Sequence, residues 1–375
     1  MDFNFLLRKY LLKSKKRIFF IGLLLGASVW YYACLPKNIF NNPYSTVIED
    51  NNGVLLSAII AQDGQWRFPP SDTLPAKFNT CIRLFEDEYF YYHPGVNPIS
   101  IIRALKQNFG AEKIKSGGST ITMQLIRLSR KKARTYKEKF VEIILATRAE
   151  LSYSKDEILC LYAANAPFGG NVVGLEAASW RYYGRAPHLL SWSESATLAV
   201  LPNAPSLIYP GKNQKRLLKK RDKLLRKLLI KKHINEEQFN LAIEEPLPIK
   251  PLKLPQVTPH FLNYAVKKGY KGERLTSTIN GLLQQKITKL VQHKHERLTL
   301  NQIDNLAVLV IDVQKNSVLS YVGNSSCRKA NCGGKVDIIQ AKRSSGSTLK
   351  PFLYTSMIEG GLLLKDELIE DVPIK

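Results

Sequence analysis

The chain has few cysteines: five in 375 residues, at positions 34, 81, 160, 327 and 332. None forms a CxxC pair, which argues against a zinc site. Acidic residues are outnumbered, 31 against 55 basic ones, and the net charge is +24. That imbalance points to an anionic partner: nucleic acid, a phospholipid surface or a phosphorylated substrate. No long internal repeat or low-complexity tract is present, which sets repeat architectures aside. Charge is also missing from residues 18–35, IFFIGLLLGASVWYYACL. A run of that length is roughly enough to cross a bilayer core.

Arg8, Lys9, Lys13, Lys15, Lys16 and Arg17 precede the apolar run, and only Lys37 follows closely. The positive-inside rule then places residues 1–17 in the cytoplasm as a basic tail and the rest of the chain outside it. Trp30, Tyr31 and Tyr32 stand where an aromatic belt would lie. A cleaved signal peptide wants a shorter apolar core and a small-residue cut site, and the bulky aromatic run fits that badly. The expectation is an uncleaved single-pass anchor over 18–35. A membrane address also disfavours a nucleic-acid partner, which the charge alone allows.

The remaining length suffices for two domains. Residues 44–70 read as strands around an Asn52-Gly53 turn. From about 75 to 245 apolar residues recur at helical spacing, as in Ile158, Leu159 and Tyr162. Ser154 with Glu157 forms a capping box. A basic helix is expected over 212–233, with leucines on one face and lysines over the rest. It is either a solvated surface helix or one that leans on anionic headgroups. Five prolines between 246 and 259 mark a stiff linker over 246–275. A helix over 281–297 and the strand pair AVLVIDV and SVLSYVG follow. Cys327 and Cys332 flank a short loop and can be disulfide-bonded or free.

Two blocks carry the chemistry. FEDEYFYYHPG crowds Glu86, Asp87 and Glu88 ahead of His93 and Gly95. Neighbouring carboxylates repel each other's charge, so one holds its proton more tightly, as a general base requires. GGSTITMQL offers Gly117 and Gly118, the hydroxyls of Ser119, Thr120 and Thr122, and Gln124. Backbone N–H groups at such a turn can hold phosphate oxygens. Further on, Ser347 and Lys350 stand at i and i+3 in GSTLKP, where a desolvated lysine can take the proton of a serine nucleophile.

These ordered motifs resemble the peptidoglycan glycosyltransferase domain of family 51. The whole chain looks like the N-terminal half of a class A, bifunctional penicillin-binding protein. NAPFGG at 165–170, AASWRYYG at 177–184 and LAVLPNAPS at 198–206 are most similar to the 1C type. The resemblance implies an α+β chain: the anchor, a mostly helical, lysozyme-like glycosyltransferase domain over 44–245, the linker, and an incomplete α/β transpeptidase domain over 276–375. It implies that Glu86 deprotonates the acceptor sugar hydroxyl and that Glu142 is the second catalytic carboxylate. Ser347 and Lys350 would be the acylation pair. Asp87, Phe90, His93, Gly118, Ser119, Thr120, Gln124, Arg127, Arg134, Lys139, Lys155 and Asn165 would line the substrate site, with Arg127 and Arg134 on the donor pyrophosphate. His93 is read as structural even within the family.

The implied substrates are lipid II and the growing glycan strand, polymerised with release of undecaprenyl pyrophosphate at the cell inner membrane. Cell-wall synthesis proteins are the implied partners. A divalent cation, Mg or Mn, on the pyrophosphate is compatible with this chemistry, although no metal-ligand cluster is visible. Two departures weaken the third motif on paper: Glu138 precedes Lys139, and Val141 stands where relatives often carry lysine. No S-x-N or K-T-G follows Lys350, so no transpeptidase activity is expected. The rivals are a glycan hydrolase using Glu86 and Glu142, a membrane-anchored scaffold, and an inactive gene product.

Overall fold

The computed structural model describes residues 19–100, 102–103, 118–133, 135–325, 333–342 and 344–368. Arg134, Cys327 and Cys332 fall outside them, as do residues 1–18. The chain divides into two compact units, residues 1–286 with 310–321, and residues 287–309 with 322–375.

The first unit is mostly helical with small sheets. β1 (Thr46–Glu49) and β2 (Leu55–Ile59) form the hairpin at Asn52-Gly53. β6 (Arg274–Thr276) adds to β1 in parallel, giving the order β2-β1-β6. A second small sheet runs β3 (Trp66–Arg67), β5 (Val172–Val173), β4 (Pro167–Gly169). The stretch read as a stiff linker is threaded into this unit. Val257 N–H bonds to Leu56 O, Thr258 bonds to Ser57, and Pro259 opens a nine-residue helix, α9 (Pro259–Lys267). Proline suits that first helical position because its missing N–H would be unpaired there anyway.

The helices explain themselves locally. α1 (Ala76–Glu86) buries Phe78, Cys81, Ile82 and Leu84 at helical spacing. α2 (Ile121–Arg130) starts at Thr120, whose hydroxyl accepts the Met123 N–H. α3 (Tyr136–Glu150) starts at Thr135 in the same way, accepting from Glu138 N–H. α4 (Lys155–Asn165) carries the expected capping box of Ser154 and Glu157. α5 (Leu175–Tyr183) and α6 (Trp192–Val200) complete the core, and α2 packs on α3 and α4.

The basic helix is α7 (Gln214–Ile230), followed by α8 (Glu236–Glu244). Leu217, Leu224, Leu225 and Leu228 are buried, against α1 and α6. Its charged residues are not all solvated. Arg221 is 1 % exposed and donates to Ile243 O and Glu245 O at the end of α8, as well as to Asp222. A guanidinium there satisfies carbonyls that have no helical partner and meets the negative end of the helix dipole. Lys227 and Lys231 clamp Glu88 at 2.8 and 2.5 Å.

Among the described residues no helix is long and apolar enough to cross a membrane. Of the segment expected as an anchor, residues 19–33 are helical and largely exposed, and Ile18 lies outside the described residues. The end of this helix rests on α3. Tyr31 O–H donates to Thr147 Oγ1 at 3.0 Å, and the Arg148 guanidinium lies 5.0 Å from the Tyr32 ring centre.

The chain continues through α10 (Gly281–Leu298), β7 (Val308–Asp312), β8 (Ser317–Val322) and α11 (Lys350–Glu359). Ser347 sits in a 3-10 turn over Gly346–Leu349, and Lys350 opens α11. Both side chains are exposed.

Candidate active site

Glu86 is the last residue of α1. Gln124 Nε2, on α2, donates to Glu86 Oε2 at 2.7 Å. Tyr162 O–H, on α4, donates to Gln124 Oε1 at 3.2 Å. Glu86 is half-buried as a residue, yet Oε1 is out of contact with solvent and has no hydrogen-bond partner among the described residues. Burial pushes this carboxyl above the ordinary glutamate range. The Gln124 hydrogen bond and the charges of Lys220 and Arg127 pull it down, and Asp87 pushes it up. A carboxylate with one oxygen held and one open, tuned upward by burial, has the features of a general base.

One helical turn beyond Gln124, Arg127 begins a cationic cradle. Its guanidinium donates to Ser119 Oγ at 3.1 Å and to both oxygens of Glu142 at 2.9 and 3.3 Å. Lys139 Nζ donates to the same Ser119 oxygen at 2.6 Å and stands 3.7 Å from Glu142. Ser119 thus marks where two cations converge, and an oxyanion there would meet the same donors. Glu142 is only 5 % exposed and held by both cations. Its charge orients Arg127 and Lys139, and neither of its oxygens is open in the way that Glu86 Oε1 is.

The rest of the expected set forms a frame beneath these groups. Asp87 and His93 are both buried, and His93 Nε2 lies 3.0 Å from Asp87 Oδ2. The same Asp87 oxygen accepts the Ile121 N–H, so a carboxylate stabilises the start of α2. Thr120 donates to Gly95 O at 2.6 Å. Lys155 donates to His93 O, pairs with Glu150 at 2.7 Å and lies 4.4 Å from the centre of the fully buried Phe90 ring. Asn165 is buried and donates to Leu161 O. Asp87, Phe90 and Lys155, expected to line the substrate site, and His93, read as structural, contact each other and the backbone. They hold Glu86 against α2. Gly118 leads directly into this frame. Arg134 lies outside the described residues.

The departure at Glu138 has a visible consequence. Glu138 binds Arg130 through two hydrogen bonds, at 2.9 and 3.1 Å, and Lys132 lies 3.6 Å away. One guanidinium at this end of the site is thereby neutralised.

Three residues were missed by sequence reasoning. Tyr162 counted only as part of an apolar stripe, and Glu150 drew no notice. Lys220 counted as solvated, yet it is half-buried, donates to Asn203 Oδ1 at 2.8 Å and lies 5.9 Å from the Phe85 ring centre. Burial lowers its pKa and neighbouring Arg216 lowers it further, while Glu86 pulls it up. Among the described residues no group of three or more His, Cys, Asp or Glu side chains is placed to hold a metal ion.

Arg127 bridges both halves of the site, so its loss should be severe. Arg127→Met is expected to cut turnover roughly a hundredfold, the effect of removing one well-aimed oxyanion donor. It should also lower the melting temperature, because Glu142 keeps its burial and loses its bidentate partner. Steady-state rates and thermal melts of the same sample check both.

A buried acid beside clustered cations suits an enzyme that deprotonates one group while anionic charge builds on another. The sequence model of the transglycosylase family matches residues 52–229. The chain is 37 % identical over 334 residues to penicillin-binding protein 1C of Escherichia coli, covering 88 % of this chain and 43 % of that one. It is 32 % identical over 329 residues to penicillin-binding protein 1A of Aquifex aeolicus, covering 85 % and 44 %. A Cupriavidus necator protein named as a transglycosylase is 34 % identical over 186 residues, which are 49 % of this chain and 79 % of that one. The crystal structure of penicillin-binding protein 1A from Haemophilus influenzae aligns with 68 % of this chain and 29 % of its own, at 20 % identity and a TM-score of 0.33. That likeness is too low to carry an argument. The chain belongs to the transglycosylase family, the peptidoglycan glycosyltransferases. It spans under half the length of the penicillin-binding proteins named here.

Proposed function

We propose that this chain polymerises a lipid-linked disaccharide-peptide into glycan strands and releases the lipid pyrophosphate. Glu86 Oε1 accepts the proton of the acceptor sugar hydroxyl. The oxygen so freed attacks the donor's anomeric carbon, and the bond from that carbon to the pyrophosphate breaks. Charge that develops on the leaving oxygens falls to Arg127, Lys139 and the Ser119 hydroxyl. In-line displacement inverts that carbon. Undecaprenyl pyrophosphate is the leaving group that the family assignment favours, and lipid II with the growing strand are the substrates. No step is routed through a metal ion.

The observation that carries this reading is an unpaired, solvent-excluded carboxylate oxygen on Glu86, whose other oxygen is held by Gln124, together with the Arg127–Ser119–Lys139 cluster that begins one helical turn along α2 from Gln124. A glycan hydrolase would need a second working carboxylate. Glu142 is neutralised by two cations and does not offer one. The apolar helix over 19–33 and the basic residues before it support an inner-membrane anchor with the catalytic unit outside the cytoplasm. Ser347 and Lys350 are exposed, and a lysine that serves as base needs desolvation. We assign no acyl transfer to them. A scaffold without activity is separated from this reading by supplying purified lipid-linked precursor and looking for polymer on a gel. Chains lengthened from the donor support it; shortened glycan or no product would overturn it.

The reading also sets the pH response. A base must be ionised, so activity falls as pH drops through its pKa. Burial raises that pKa. The acid limb of the kcat/KM profile is therefore expected above the ordinary glutamate range, and an acid limb at or below that range would contradict it.

A further inference from the structure

Tyr162 is 1 % exposed, within the main apolar core, and reaches the site only through its hydroxyl. The two ends of the Gln124 amide are alike in shape and opposite in chemistry, so its neighbours decide its orientation. Here the carbonyl end faces a phenol and the NH2 end faces a carboxylate. The reversed amide would set Gln124 Oε1 against Glu86 Oε2, two acceptors with no proton between them. Burial, with the nearby Glu86 charge, keeps the phenol protonated and able to donate.

We propose that Tyr162 is a positioning residue of the glycosyl transfer site: its O–H, donated to Gln124 Oε1, holds the amide with NH2 on Glu86 Oε2, so that Oε1 is the oxygen left unpaired to take the proton. This rests on the reading of Glu86 as the base. The chain Tyr162–Gln124–Glu86 joins α4, α2 and the end of α1, which fixes the carboxylate from behind in two dimensions. During transfer the acceptor O–H bond breaks and the proton goes to Oε1. The bonds behind Oε2 need not change. A donor chain of this kind also strengthens its own links, because each polarised group is a better donor to the next.

The charged and titratable groups that face Glu86 are Asp87 on its own segment, Arg127 on α2, Lys220 on α7 and Tyr162 on α4. Tyr162→Phe leaves the first three in place and keeps the ring that fills the core. The experiment is kcat and KM against pH for the full chain with lipid-linked precursor, in wild type, Tyr162→Phe, Gln124→Leu and the double variant. Tyr162→Phe should lower kcat roughly tenfold, the scale of one lost hydrogen bond in a charged site, with KM within about twofold. Its acid limb should move to higher pH, because a weaker Gln124 donation stabilises the ionised carboxylate less. Gln124→Leu should shift further in the same direction, and the double variant should match Gln124→Leu alone, since the hydroxyl acts only through the amide. If the phenylalanine variant melts early, 3-fluorotyrosine at position 162 keeps the shape and makes a stronger donor. The limb should then move to lower pH. A wild-type rate and acid limb for Tyr162→Phe, an additive double variant, or no response to fluorotyrosine overturns the proposal. Polymer formed by Glu86→Gln at more than about a tenth of the wild-type rate would instead overturn the base reading beneath it.

Discussion

Glu86→Gln should fold, melt at or above the wild-type temperature at neutral pH, and make polymer at least about a hundredfold more slowly. Glutamine copies the shape and still accepts the Gln124 N–H that now binds Glu86 Oε2. It cannot take a proton from the acceptor. General bases contribute about 10²- to 10⁴-fold, so the loss should be at least a hundredfold and carried by kcat. The stability half of the prediction has a definite sign. Burial raises the folded-state pKa of Glu86 above its unfolded value. Stability from this group is then fully present below the unfolded pKa and lost as pH rises through the folded one. At neutral pH the ionised acid sits in a site that disfavours its charge, and a neutral amide removes that conflict. The melting difference should therefore close as the solution is acidified through the carboxylate range. A gel assay with lipid-linked precursor and melts at two pH values test both halves. Retention of more than about a tenth of the wild-type rate would remove Glu86 from the base role that general acid–base chemistry assigns it.

The second large effect is on folding. Gly95→Ala is expected to lower stability by about 3 kcal/mol, from a left-handed backbone and forced overpacking together. Gly95 has φ +86, and a Cβ there would lie 2.7 Å from Ala146 O and 2.9 Å from Glu150 Cγ. The carbonyl oxygen is backbone of α3 and cannot swing aside. Gly95 O also accepts the Thr120 hydroxyl that caps α2. The substitution thus presses on α3 at Ala146, one turn from Glu142, and on the Thr120 cap of α2, the two helices that carry Arg127, Lys139 and Glu142. A melting temperature lower by roughly 10 °C should accompany a loss of activity larger than the fraction unfolded explains. A stable and fully active Gly95→Ala protein would show that this close approach does not set the site.

Much of this was legible along the chain because the signals are local. Ser154 and Glu157 announce α4, and Asn52-Gly53 announces the hairpin, since capping and turn chemistry need only near neighbours. The acidic block and the Ser119–Gln124 block stand out for the same reason. Other readings changed once the chain folded. The prolines after residue 245 looked like a spacer, but their segment lends backbone bonds to Leu56 and Ser57, partners about two hundred residues away. Arg221 drew no notice within the basic helix. It is buried because the open carbonyls of α8 lie beside it, and no spacing rule reports that. Asp87 and Lys155 read as substrate ligands along the chain, and the fold also pairs them with His93 and Glu150.

The sequence by itself determined which groups are present and in what order. It set the base candidate, the glycine turn, the cations, the apolar run and the family they belong to, because residue identity and short-range pattern do not depend on distant contacts. Only the tertiary structure decided which of two glutamates is open and which is neutralised. It also decided that an unremarked tyrosine reaches the site through a glutamine. The reason is that exposure, charge pairing and the direction of a hydrogen bond belong to pairs of residues, here 15 and 38 positions apart, and such pairs exist only after the helices have packed.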